Sequence, residues 1–180
     1  MIRIVGLLSF LLMIISCSDN QKEFSQWRGP ERNGIYHETG LLKKWPENGP
    51  ELLWSVEDLG HGYSSPAVAN NRVYVTGLKD TIASQGILSV YDLHGNLLWK
   101  KEYGKDYTLN FRGTRSTPVV ADNLIYIESS MGAIYCLNAE NGEKIWSVDF
   151  IDDLGVDTLI RFGFSESVFI DDDHLICVPG

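Results

Sequence analysis

The chain has 180 residues, with 15 Lys and Arg against 24 Asp and Glu, a formal charge of −9 and 44% hydrophobic residues. That acidity argues against nucleic acid or an anionic lipid surface as a partner of the folded body. The length suits about one domain, and the sequence holds no phosphate loop, no Cys-x-x-Cys and no recognisable Ser/His/Asp arrangement.

Residues 1–16 read as a signal peptide. Arg3 supplies the positive start, and Ile4 to Ile15 form an apolar run too short to span a bilayer. The run ends in Ile14-Ile15-Ser16-Cys17, which resembles the bacterial lipobox. The resemblance implies that Cys17 becomes the acylated first residue of the mature chain. The membrane is then a partner through Cys17, and the location is the bacterial cell envelope, on the periplasmic or outer-membrane side. The alternative is an ordinary cleaved signal or an uncleaved anchor, with Cys17 incidental. Residues 17–50 read as a polar tether followed by an extended arm. The stretch Gln26-Trp27-Arg28-Gly29-Pro30 and the later Trp45-Pro46 are turn-rich, with isolated aromatics expected as anchors on the domain.

From residue 51 the pattern becomes repetitive. Trp54, Trp99 and Trp146 each follow Leu or Ile, at steps of 45 and 47 residues. A self-similar period of this size, with four short strands in each, predicts an all-β fold of four-stranded antiparallel propeller blades. In the first repeat the predicted strands are Ser64 to Ala69, Arg72 to Thr76, Ile87 to Asp92 and Leu97 to Lys100, with turns at Asn70-Asn71 and His94-Gly95-Asn96. In the second they are Ser116 to Ala121, Leu124 to Ile127, Gly132 to Asn138 and Lys144 to Ser147. Asn141-Gly142 is a strong hairpin signal there, because both residues tolerate positive φ. In the third repeat only Val168 to Ile170 and Leu175 to Val178 follow. The blades therefore fall at about residues 52–99, 100–146 and 147–180. About two and a half are present in residues 51–180, so a longer protein is expected, with an open ring and an unpaired edge at residue 180. Each repeat tryptophan is expected to fill the widening wedge between blades, burying about 200 Å² and contributing at most roughly 5 kcal/mol.

The segments Asn138 to Trp146 and Asp92 to Trp99 resemble the tryptophan-docking repeat of quinoprotein-type propellers. There an Asp or Asn is followed by a turn Gly and, four residues on, by Trp. Asn138, Gly142 and Trp146 match; Asp92, Gly95 and Trp99 match with one residue deleted. Gln26 to Pro30 with Asn33-Gly34 looks like the N-terminal signature of envelope proteins carrying this PQQ-like repeat. The resemblance implies a ring usually of eight blades. It leaves two functions open. One is a non-catalytic binding or assembly scaffold with protein partners in the envelope and no cofactor. The other is a dehydrogenase holding pyrroloquinoline quinone and Ca²⁺ in its central funnel and oxidising alcohols or sugars. The adjacent cysteine pair frequent in such enzymes is lacking: Cys17, Cys136 and Cys177 lie far apart. No catalytic Asp and no Ca²⁺ ligand set carries over by residue.

Other candidates are weaker. Asp171-Asp172-Asp173 reads as a solvated turn before a Ca²⁺ site, and Asp149 to Asp153 likewise. His37, His61, His94 and His174 lack metal-ligand spacing, so no metal site is assigned. Arg112, Arg115 and Arg161 precede first strands. They either line a funnel for an anionic ligand or brace their own loops. Cys136 and Cys177 fall on strands of different repeats, which favours free thiols over a disulfide.

Overall fold

The computed structural model describes residues 24–80, 82, 84–157 and 161–179. The signal segment 1–16, Cys17, the tether to residue 23 and Gly180 lie outside the described residues. Among the described residues there are eleven strands, every ladder antiparallel, and no helix. No helix long and apolar enough to cross a membrane occurs among them.

The first blade is β2 (Ala67–Ala69), β3 (Arg72–Leu78), β4 (Gln85–Asp92) and β5 (Leu97–Lys105), paired in that order. The second is β6 (Val119–Ala121), β7 (Leu124–Ser129), β8 (Ala133–Asn138) and β9 (Lys144–Asp149). The third shows β10 (Phe169–Asp171) and β11 (His174–Ile176), paired to each other. The expected strands are present, but the first strands of the first two blades are only Ala67–Ala69 and Val119–Ala121, three residues shorter than expected because each expected strand opens on a Pro-containing lead; several others extend by two to five residues, and β5 runs on past Trp99 to Lys105. These are propeller blades, all-β and partial.

Short two-residue turns close the first hairpins. Asn70 and Asn71 both take positive φ (52° and 55°), the pairing a type I′ hairpin requires. A bulge recurs beside Trp99 and Trp146. Val90 pairs with Trp99 but Tyr91 with Leu97, and Cys136 pairs with Trp146 but Leu137 with Lys144. Leu98 and Ile145 are the extra residues, and both are exposed.

Two cores form because the second blade is apolar on both faces. One face brings Val120, Ile125, Ile127 and Leu137 against Tyr74, Leu88, Val90 and Tyr103 of the first blade. The other brings Val119 and Ile134 against Phe150, Phe164 and Val168 on the way into the third. The period-two alternation explains this: neighbours such as Val119 and Val120 point to opposite faces. The first blade differs. Val68 is 56% exposed, because no described residue covers that face. Residues 52–60 form no strand; Leu52 and Leu53 are exposed, having no partner strand beside them.

The arm differs from its expected mode of attachment. Its first residues form β1 (Phe24–Ser25), which pairs with β6: Phe24 opposite Ala121 and Ser25 opposite Val120. Trp27, Tyr36 and Trp45 are exposed rather than anchored. What holds the arm is main-chain pairing and the buried Gln26, whose Nε2 donates to Pro30 O at 2.9 Å.

Candidate functional site

In a blade sheet the first strand lies nearest the ring axis. β1 adds to the axial side of β6 and also lies beside β2. The arm therefore runs along the axis. Its direction is set by register: Phe24 sits at the end of β6 next to the Asp122-Asn123 turn, and Trp27 reaches the other end, beside Thr117.

At that second end three blades present hydroxyls in one register. The Ser65 N–H donates to Thr117 Oγ1 at 3.2 Å, and the Thr117 N–H donates to Ser167 Oγ at 2.9 Å. Each blade thus hands a main-chain hydrogen bond to the same position of the next. Trp27 stands over this row and separates two clefts. One, of about 610 Å³, is lined by arm residues Gln26 to Pro30 with Tyr36, Ser65 and Thr117. The other, of about 460 Å³, is lined by Trp27, Tyr63, Arg115, Thr117, Glu166 and Ser167. Tyr63, Phe111 and Phe162 stand exposed around Arg115. Rigid exposed aromatics beside hydroxyls form a surface suited to binding.

The three arginines do not act together. Arg115 is engaged within its loop: Nη1 donates to Gly113 O, and Nη2 to Asn110 O and Phe111 O, at 2.8–3.2 Å. Its guanidinium also lies 4.1 Å from the Tyr107 ring centre. Arg112 and Arg161 are exposed and line neither cleft. Arg161 stacks over its neighbour Phe162, and its carbonyl accepts from Tyr107 Oη at 2.7 Å.

The repeat residues form a regular device. Trp54 Nε1 donates to Leu93 O at 2.9 Å, and a Cβ on Gly95 would lie 2.8 Å from the Trp54 ring. Trp99 lies in the same way over Gly142, where a Cβ would meet its ring at 2.6 Å. Trp54 and Trp99 thus each pack on the turn glycine some forty residues further on. Asp92 and Asn138 shape those turns. Asp92 Oδ1 accepts from the N–H groups of His94 and Asn96, and Asn138 Oδ1 from that of Glu140. The Asn96 bonds to Asp92 hold its carboxyl below the usual range. Trp146 is 39% exposed and meets Tyr126 at 6.0 Å between ring centres.

Two buried acids escaped sequence reasoning. Asp106 accepts from Tyr103 Oη at 2.5 Å and from the N–H groups of Tyr107 and Ser130, tying the first blade's outer strand to the second blade. Glu128 is 1% exposed, and neither carboxylate oxygen has a hydrogen-bond partner among the described residues. Burial pushes its carboxyl up to about 8, and Glu166 pushes the same way. The equivalent residue of the first blade is Thr76, which bonds Ser64 Oγ at 2.8 Å. The only sequence signal was that Glu128 continues the alternation of β7 on the Tyr126 side. Cys136 and Cys177 are free thiols; burial raises Cys136 to about 11 and raises Cys177 as well.

The Ca²⁺ that accompanies pyrroloquinoline quinone finds no ligand set among the described residues. Among the described residues no group of three or more His, Cys, Asp or Glu is placed to hold a cation. The axial space beside β2 and β6 is taken by the arm itself. The Asp149 and Asp153 carboxylates cap their own turn. Asp173 meets His174 Nδ1 at 2.8 Å, and His37 lies beside Glu31.

A family model described as outer membrane protein assembly factor BamB matches residues 35–178. The chain belongs to this family. BamB-type sequence thus spans the arm from Ile35 and all three blades. No curated protein matches the chain. Among solved structures, the quinohemoprotein alcohol dehydrogenase from Comamonas testosteroni is similar at 14% identity, with a TM-score of 0.48. The likeness covers 66% of this chain and 17% of that enzyme, and at that level it transfers no role to a BamB-type residue.

Proposed function

We propose that this chain is a lipoprotein of the bacterial envelope whose propeller blades serve as a non-catalytic binding scaffold in outer membrane protein assembly. The observation that carries the reading is the family match over residues 35–178. The aromatic surface around Arg115 supports it, because exposed Trp27, Tyr63, Phe111 and Phe162 offer contact area for a partner. Attachment through Cys17 rests on the lipobox resemblance of Ile14 to Cys17. Stable anchoring by a multiply acylated cysteine follows from the number of chains buried.

The test has two arms. Metabolic fatty-acid labelling and membrane fractionation compare the chain with Cys17→Ala; label and membrane association are expected to be lost in the variant. In the producing cell, loss of the gene is expected to lower the content of β-barrel proteins in the outer membrane. Unchanged outer-membrane content would overturn the assembly role. Alcohol-dependent dye reduction by the purified full chain, supplied with pyrroloquinoline quinone and Ca²⁺, would overturn the scaffold reading in favour of an enzyme.

A further inference from the structure

The course of the arm assigns a direction to the whole body. Within each blade the turn between first and second strands and the turn between third and fourth lie at one end. Arg72 opposite Asp92 shows this within the first blade. Between blades, Asn70 Nδ2 donates to Asp122 O at 3.2 Å, and Arg72 pairs with Glu140 at 2.9 Å. The turns of adjacent blades therefore share one face. The loops carrying Tyr63, Phe111 and Phe162 share the opposite face, where Tyr107 Oη reaches Arg161 O. β1 is antiparallel to β6, and Phe24 pairs with Ala121 beside the Asp122-Asn123 turn. The arm thus begins at the turn face and emerges at Trp27 on the aromatic face.

We infer that the turn face is apposed to the lipid surface and that the aromatic face, with both clefts, is directed away from it. The inference rests on the acylation of Cys17 proposed above. Seven residue steps separate Cys17 from Phe24. At about 3.3–3.6 Å per extended residue, they allow at most roughly 25 Å between the lipid anchor and the turn face. Bringing the aromatic face to the lipid would require that same tether to double back past a blade. The turn face carries Asp92, Asp122, Glu140, Glu143 and Asp171 to Asp173 against Arg72 and Lys144. Like charge keeps such a face off anionic lipid. The surface it fits is a zwitterionic bilayer, approached without insertion.

The test uses the acylated full chain in phosphatidylcholine vesicles that carry a headgroup-attached quencher. Cys177→Ser removes the partly exposed thiol, and buried Cys136 stays unlabelled. An environment-sensitive fluorophore is placed at Glu143→Cys on the turn face or at Leu109→Cys in the opposite loops. Expected is several-fold stronger quenching at Glu143→Cys than at Leu109→Cys, weakened when phosphatidylglycerol is added. Equal quenching, or stronger quenching at Leu109→Cys, overturns the orientation while leaving the lipoprotein reading intact. Failure of the acyl-competent chain to float with the vesicles overturns the lipoprotein reading and the orientation with it.

Discussion

Glu128 gives the most exacting test of how the second and third blades meet. Its carboxyl is 1% exposed and has no hydrogen-bond partner among the described residues. Its folded value of about 8 against 4.5 for the free side chain means that the native state holds the proton more tightly than the unfolded chain. Stability is therefore fully present below about pH 4.5, falls as pH rises toward 8, and levels off above. At about 1.4 kcal/mol per unit, the loss approaches roughly 5 kcal/mol once the group is ionised, and is about 3 kcal/mol at neutral pH. Glu128→Gln keeps the shape and removes the charge. Any cost from the buried amide is the same at every pH, so the slope, not the absolute stability, is diagnostic. Urea unfolding followed by tryptophan fluorescence, from about pH 5 to about pH 9, is the assay. The unsubstituted chain should lose about 1.4 kcal/mol per pH unit relative to Glu128→Gln across most of that range. Parallel curves for the two proteins would refute the reasoning, and with it the dry packing around Glu128.

Gly142→Ala should cost more than Gly40→Ala. Both glycines have φ of +71°, but a Cβ at Gly142 meets Trp99 at 2.6 Å, whereas at Gly40 nothing lies within 4 Å. The shared backbone cost is about 1–2 kcal/mol, and the excess, read from denaturation midpoints, measures the Trp99 contact; equal losses would remove that contact from the account. Thr117→Val deletes the acceptor for the Ser65 N–H and should destabilise by about 1–3 kcal/mol. Thr117→Ser should restore most of it, with amide exchange at Ser65 as the local readout. Trp54→Phe keeps an aromatic over Gly95 but loses the bond to Leu93 O, so a loss of only about 1 kcal/mol is expected in thermal unfolding. Cys136, raised to about 11 by burial, should resist alkylation at pH 8 in the native protein and react on unfolding, as read by mass spectrometry.

The blades were legible because period-two alternation and Asn-Gly chemistry are local signals. Strands such as Arg72–Leu78 and Leu124–Ser129 carry their own evidence. β1 was not legible: two residues have no periodicity, and their partner Val120 lies far along the chain. The arm's aromatics misled for a related reason. Exposed Trp27 and buried Gln26 reverse the usual preference, since main-chain pairing rather than apolar burial fastens the segment. Glu128 reads in sequence as a solvent-facing residue of an alternating strand. It is buried because both faces of the second blade pack against neighbours, a tertiary fact that alternation alone does not encode. For the candidate arginines, whether Arg115 faces a ligand or its own loop depends on carbonyls at Asn110, Phe111 and Gly113, which no sequence pattern announces.

The hydroxyl register from Ser65 through Thr117 to Ser167 has a sense. Every blade donates forward and accepts from behind, so the unit of contact is head-to-tail and not self-complementary. Such heterologous contacts have two outcomes only: the rotation per unit closes on itself, or it continues into a filament. Among the described residues the Ser65 hydroxyl receives no donor and the Ser167 N–H finds no acceptor. The rotation between successive blades is therefore under a constraint that no single blade reveals. A change that alters the pitch at Thr117 is passed to the blades on both sides of it before it acts on the stability of any one sheet.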